Sequence, residues 1–131
     1  MSAHPPHQGV IAVASGPDFD YAPPTGHESK IEGLRLFIPT FPDRWHRATC
    51  AVNFKTAGTS TAWMRLYEDE RRIACVQHLG HGMADQMVLN WVWKPRSYGD
   101  SLYEVTWEGR ASIIMGTELR QPQLLIEDLG P

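Results

Sequence analysis

The sequence has no apolar run near the roughly 18 residues that a bilayer-spanning helix needs. Its opening residues, MSAHPPHQGV, lack the charged, apolar and small-residue sections of a signal peptide. Synthesis and folding in a cytoplasm are therefore expected, with no membrane partner. Charge of one sign is also missing: 12 basic and 15 acidic residues are spread along 131 positions, for a net charge of −3 and no basic run. That leaves no electrostatic footprint for nucleic acid or an anionic membrane surface. Cysteine is scarce. Cys50 and Cys75 each fall inside a strand-like stretch, where a small buried apolar role is expected rather than a disulfide in a reducing compartment. No CxxC pair and no GxSxG elbow occurs, which removes familiar signatures of a zinc site and of a serine nucleophile. The length is that of one domain.

What the chain does have is aromatic strand. Residues 85–107, DQMVLNWVWKPRSYGDSLYEVTW, hold Trp91, Trp93 and Trp107 of the five tryptophans. Met87, Leu89, Trp91 and Trp93 alternate with Val88, Asn90 and Val92, the two-residue period of a strand. Lys94-Pro95 stops the run. After the polar turn 96–101, Tyr103, Val105 and Trp107 share a face opposite Leu102, Glu104 and Thr106. The two runs are expected to pair as a long β-hairpin at the centre of the core, with all three tryptophans facing inward, because each packed aromatic buries about 150 to 250 Å².

Residues 1–31 differ from the rest. They hold five of the ten prolines and a single apolar run, residues 10–14, VIAVA. Proline pairs favour extended backbone that cannot donate into a sheet, so an extended N-terminal arm is expected. Its VIAVA run would add a strand to an exposed edge of a neighbouring subunit. From residue 32 to 131 short alternating runs are separated by turns: 34–38, 49–54, 62–67, 71–78, 87–93, 102–107, 111–115 and 124–126. The turn Glu68-Asp69-Glu70 joins two of them as a tight hairpin whose tip should be in water, and 79–83, LGHGM, reads as a glycine-rich connection. About eight strands without a helix indicate an all-β fold, a single antiparallel β-sandwich of jelly-roll-like type carrying the extended arm.

Few residues offer chemistry. His78 and His81 are spaced to share a metal but have no third ligand nearby in sequence. Asp18 and Asp20 lack the glycine and glutamate that complete a calcium loop. Cys50 and His46 share a strand with neither a third group nor a helix N-terminus to activate the thiol. Glu104 and Glu108 are a carboxylate pair near aromatics, as a glycosidase would need, but strand alternation turns them outward into solvent. No catalytic, metal or cofactor residue is assigned, and a non-enzymatic role is expected. Trp45, near a proline turn, and Trp63, beside a Thr/Ser loop, are the candidate interface anchors. Val10, Ile11, Ala12 and Val13 of the arm join them.

The last eight residues, LLIEDLGP, follow LYEVTW and ASIIMGTELRQPQ. This end resembles the C-termini of small minor tail proteins from tailed bacteriophages of actinobacteria, many of which close on an apolar strand followed by E-D-[LI]-G-P. The matching positions are Leu124, Leu125, Ile126, Glu127, Asp128, Leu129, Gly130 and Pro131. Weaker similarity lies in WMRLYEDERRIACVQHL and in GVIAVA. The resemblance covers about the last third. It implies a virion structural protein made in the host cytoplasm, partnered by other virion proteins and working by assembly at the tail tip or baseplate periphery. A capsid decoration protein is the alternative within that class, and a carbohydrate-binding module that takes a host-surface glycan is the alternative outside it. A homo-oligomer is favoured over a monomer, because virion positions are rotationally symmetric.

Overall fold

The computed structural model describes residues 9–16, 26–110, 113–115 and 122–131. Among them are nine strands and no helix: β1 (Gly9–Ser15), β2 (Ser29–Thr40), β3 (Trp45–Thr56), β4 (Thr59–Glu68), β5 (Arg71–His81), β6 (Asp85–Trp93), β7 (Gly99–Gly109), β8 (Ile113–Met115) and β9 (Gln123–Gly130). They form two antiparallel sheets. The first has the order β1-β9-β3-β6, with the short β8 also pairing β3; the second has the order β2-β7-β4-β5. The pairs β1·β9, β2·β7, β3·β6 and β4·β5 nest inside one another along the chain. Such a ribbon, rolled so that successive pairs alternate between two sheets, is a jelly roll. The all-β sandwich expected from alternation is the fold of the chain.

The core lies between the sheets and is built from the faces that alternation selects. Cys50, Val52 and Phe54 of β3, Met87 and Leu89 of β6, and Leu124 and Ile126 of β9 point in from the first sheet. Leu34, Met64, Leu66, Tyr103, Val105 and Trp107 meet them from the second. The β4–β5 turn is a two-residue loop in which Asp69 and Glu70 both have positive φ, 49° and 69°, the primed geometry that matches the twist of a hairpin.

Several local expectations need correction. The residue 85–107 stretch is not a hairpin: β6 pairs β3, whereas β7 pairs β2 and β4 in the opposite sheet. Each of the two strands carries one large apolar face. Placed in facing sheets, β6 packs mainly over the opposite edge strand β5 and reaches β7 at its own end. Trp93 and Tyr103 meet across the core with ring centroids 5.6 Å apart, edge to face. Trp107 and Trp93 are buried as expected, but Trp91 is 43% exposed. It sits where β6 and β5 are both sheet edges, in an open cleft of about 390 Å³ shared with Arg72, Ile73, Ala74 and Cys75. Its face points inward, yet no third strand closes that side.

The N-terminal reading also changes. Val10 to Ala14 do form a strand, but β1 pairs with the chain's own β9, from Gly9 opposite Asp128 to Ser15 opposite Gln123. Ile11, Ala12 and Ala14 pack against the core cluster. The boundary expected at residue 31 falls inside β2, which starts at Ser29. Gly33 explains how β1 reaches the sandwich: its φ is +84°, and a Cβ there would sit 2.5 Å from the Ser15 carbonyl oxygen, so only glycine lets β2 pass this close. Residues 1–8 and 17–25, which hold the prolines of the expected arm together with Asp18 and Asp20, lie outside the described residues. The LGHGM segment is strand through His81, not a connection.

Candidate functional site: two unlike outer faces

The two sheets turn different chemistry to solvent. On the second sheet, cross-strand neighbours are charged and paired. Glu104 of β7 bonds Lys30 at 3.1 Å and lies 3.8 Å from Arg35. Arg65 of β4 bonds Glu108 at 2.9 Å and approaches Glu28 at 3.7 Å. The Glu28 carboxylate accepts hydrogen bonds from Tyr67 and Thr106. Burial opposes its ionisation, but those two bonds and the nearby Arg65 and Arg72 hold it below the usual carboxylate range. Glu104 and Glu108 face outward as alternation requires, but each is engaged by basic residues rather than standing free in water. Trp63 is half-buried on this face, with the Arg65 and Arg110 guanidinium groups 5.9 and 5.6 Å from its ring centre. Beside it, Lys30, Tyr67, Glu70, Glu104 and Thr106 line a shallow depression of about 210 Å³.

The outer face of the first sheet mixes exposed valines with uncharged polar residues and carries fewer charges. Its ladder rows run across four strands: Val10–Glu127–Arg47–Val92, Val13–Leu125–Thr49–Asn90, and Ser15–Gln123–Ala51–Val88. Val10, Val13, Val88 and Val92 are 59%, 51%, 44% and 45% exposed. The only charges in these rows are Arg47 and Glu127, joined by a bidentate pair at 3.0 and 3.3 Å. Trp45 stands exposed at the end of the same face, with Lys94 Nζ 5.0 Å from its ring centre. Of the expected interface residues, the structure therefore gathers Val10, Val13 and Trp45 on one face. It sends Trp63 to the opposite side and turns Ile11 and Ala12 toward the core.

The interior holds polar groups that alternation did not reveal. Glu68, expected at a wet hairpin tip, is 2% exposed. Its Oε2 accepts from Trp93 Nε1 at 3.0 Å and from the Tyr103 hydroxyl at 2.7 Å, and its Oε1 pairs with Arg71 at 3.2 Å. Burial and the Glu68 bond both push the Tyr103 phenol upward. Asp128, from the C-terminal match, is also buried. It accepts Arg44 Nε at 2.8 Å and the Gly130 amide at 2.8 Å, so the E-D-L-G sequence secures the end of β9 to the start of β3.

Among the described residues, the candidate reactive groups lie apart from one another. Cys50 is buried 3.6 Å from Met64 Sδ, and burial pushes its thiol up to about 12, while His46, four residues away on the same strand, bonds elsewhere. His78 Nε2 lies 2.7 Å from Asp85 Oδ2, and this bond lowers the Asp85 carboxyl. No group of three or more His, Cys, Asp or Glu placed to hold a metal occurs among the described residues. No family model matches the chain, and no curated protein matches it.

Cys75 differs from its expected burial, because it lies on the outward side of edge strand β5 and is exposed. An aromatic disulfide reagent should therefore titrate one thiol rapidly in the native protein and the second only after denaturation. Cys75→Ser should abolish the native phase, and two fast thiols in the wild type would contradict this placement.

His46 is fully buried, its Nδ1 donates to the Arg44 carbonyl at 3.1 Å, and its ring centroid is 5.7 Å from that of Trp93. Burial lowers its pKa below 6.5, more than the Arg44 bond and the Asp128 charge raise it. The unfolded chain therefore binds this proton at higher pH than the folded one. The stability it carries is complete above about pH 6.5 and is lost as pH falls through the folded value. Denaturant midpoints at pH 7.5 and pH 5 should lie closer together in His46→Gln, whose amide can keep the Arg44 bond. An unchanged gap would assign the acid loss to other groups.

Proposed function

We propose that the chain is a bacteriophage virion structural protein, a minor tail subunit at the tail tip or baseplate periphery that acts by protein–protein assembly. The observation that carries this reading is the asymmetry of the sandwich. One outer face carries most of the ion pairs, with Phe37 and Leu79 exposed among them, and the other offers four exposed valines around the joined Arg47 and Glu127, a surface able to meet protein. The C-terminal resemblance supports the phage assignment, since every residue of its E-D-L-G segment belongs to the strand that carries the middle of that face. Jelly rolls recur in viral capsid proteins and in lectins, which is an analogy of fold and not of site. Negative-stain imaging of particles gold-labelled through this protein tests the proposal. Label at the tail tip is the expected result, label on the head would make it a capsid decoration protein, and label on no virion structure would overturn the class.

A carbohydrate-binding role is the second reading, favoured by the 210 Å³ depression that holds the Tyr67 ring among Lys30, Glu70 and Glu104. A glycan array in which wild type binds and Tyr67→Ala does not would establish it. Signals at background for wild type would remove it.

A further inference from the structure

One row of this face has an order that selects its partner. The row Val10–Glu127–Arg47–Val92 runs from β1 through β9 and β3 to β6. It is apolar at both ends, and the acid and the base occupy the two middle strands. A two-fold axis lying in the plane of contact, parallel to the strands and midway between β9 and β3, exchanges β9 with β3 and β1 with β6. It sets Arg47 of one copy over Glu127 of the other and Val10 over Val92. We propose that the first sheet packs on the same sheet of a second copy of this chain, giving a face-to-face homodimer centred on reciprocal Arg47 and Glu127 pairs.

Three features of the surface fit this partner. A two-fold interface must be self-complementary, each residue meeting its counterpart's partner, and this row satisfies that for both its charges and its ends. Arg47 and Glu127 keep 40% and 21% of their side-chain surface open, so each retains hydrogen-bonding capacity for the opposite copy. The size is adequate: four strands about 4.8 Å apart and seven residues of about 3.3 Å each cover roughly 440 Å² in plan. With the corrugation of side chains and the flanking Trp45 this approaches the roughly 600 to 800 Å² per partner of smaller stable interfaces. An axis parallel to the strands keeps the two sheets' strand directions aligned, within the range of about 30° seen for sheets packed face to face.

The inference names the partner of the face used in the proposed function and so rests on that reading, but its test does not involve virions. Purified full-length protein should sediment at twice the chain's 14.8 kDa. Val92→Glu should weaken the dimer on the order of 100-fold, because it sets a charge against an apolar neighbour without a partner. Arg47→Glu and Glu127→Arg should each be monomeric alone, since each places like charges together. An equimolar mixture of the two should recover a dimer, in which the acidic row of one meets the basic row of the other. Circular dichroism melts of each variant establish that it is folded. A wild type that stays monomeric at 200 μM, or a mixture that fails to recover a dimer from two folded variants, would overturn the proposal. Dimerisation gained only on deleting residues 1–8 would also overturn it, by making the chain's own N-terminus the occupant of the face. A dimer without virion label would sink only the tail reading, and tail label with a monomer only the dimer.

Discussion

Glu68→Ala should lower stability by about 3 to 5 kcal/mol, because truncation strands two buried donors at about 1 to 3 kcal/mol each and leaves a void. The donors are Trp93 Nε1 and the Tyr103 hydroxyl, which arrive from opposite sheets and converge on one oxygen. The carboxylate is therefore a bridge between the layers at the end of β4. It is also tied to the hairpin tip, where Asp69 accepts the Leu102 amide at 2.8 Å. For a domain of this size the loss corresponds to a fall in Tm of about 10 to 20 °C. Glu68→Gln keeps the volume and an accepting oxygen, and should cost about 1 to 2 kcal/mol, chiefly through the Arg71 pair. Equal losses in the two variants would mean that volume, and not the hydrogen bonds, sets the cost. A Glu68→Ala melt within about 3 °C of wild type would show that the bridge contributes little.

Deleting residues 1–16 should destabilise the sandwich by about 3 kcal/mol or more, since burying a side chain such as Ile11 is worth about 1.5 to 3 kcal/mol before Ala12, Ala14 and the strand pairing are counted. The deletion removes the antiparallel partner of β9 and turns that strand, with Leu124, Leu125 and Ile126, into an open edge. Apolar open edges recruit other chains. The truncated protein should therefore melt at least about 10 °C lower and form soluble aggregates, as read by differential scanning calorimetry and light scattering. A truncated chain that melts within about 2 °C of the full chain and stays monodisperse would show that β1 contributes nothing to its own sandwich. The strand would then be free for a neighbour's sheet, as its sequence alone suggests.

The candidate face was partly legible. Val10, Val13 and Trp45 stand out as apolar residues at an arm and a proline turn. Val88 and Val92 also carried a signal, since they alternate with the inward Met87, Leu89 and Trp93 and stand on the outer side of their strand with Asn90 between them. Arg47 and Glu127 carried none, because a cross-strand ion pair between residues 80 positions apart has no local trace. Trp63 looked like an anchor because it flanks a loop. Which tryptophan is clasped by arginines depends on cross-strand neighbours that the loop does not reveal.

The two-residue period by itself determined the all-β class, the places where most strands run, and the inward faces of β3, β7 and most of β6, since side-chain direction in a strand is a local consequence of the pleat. The positive-φ hairpin at Asp69 and Glu70 is local too, its position set by charged residues between two alternating runs. Strand order was decided by tertiary structure, because alternation says which residues share a face and nothing about which strand lies alongside. The inferred β6–β7 hairpin failed for that reason: two strands adjacent in sequence were placed in facing sheets, where they meet at Trp93 and Tyr103. Exposure of Trp91 and Cys75 and burial of Glu68 follow from the same rule. A position on an edge strand is open wherever no neighbour closes the sandwich, and a carboxylate at a strand end is buried once donors from both layers reach it. Only the rolled ribbon brings β1 to β9, and with it the four-strand face with its exposed valines into existence.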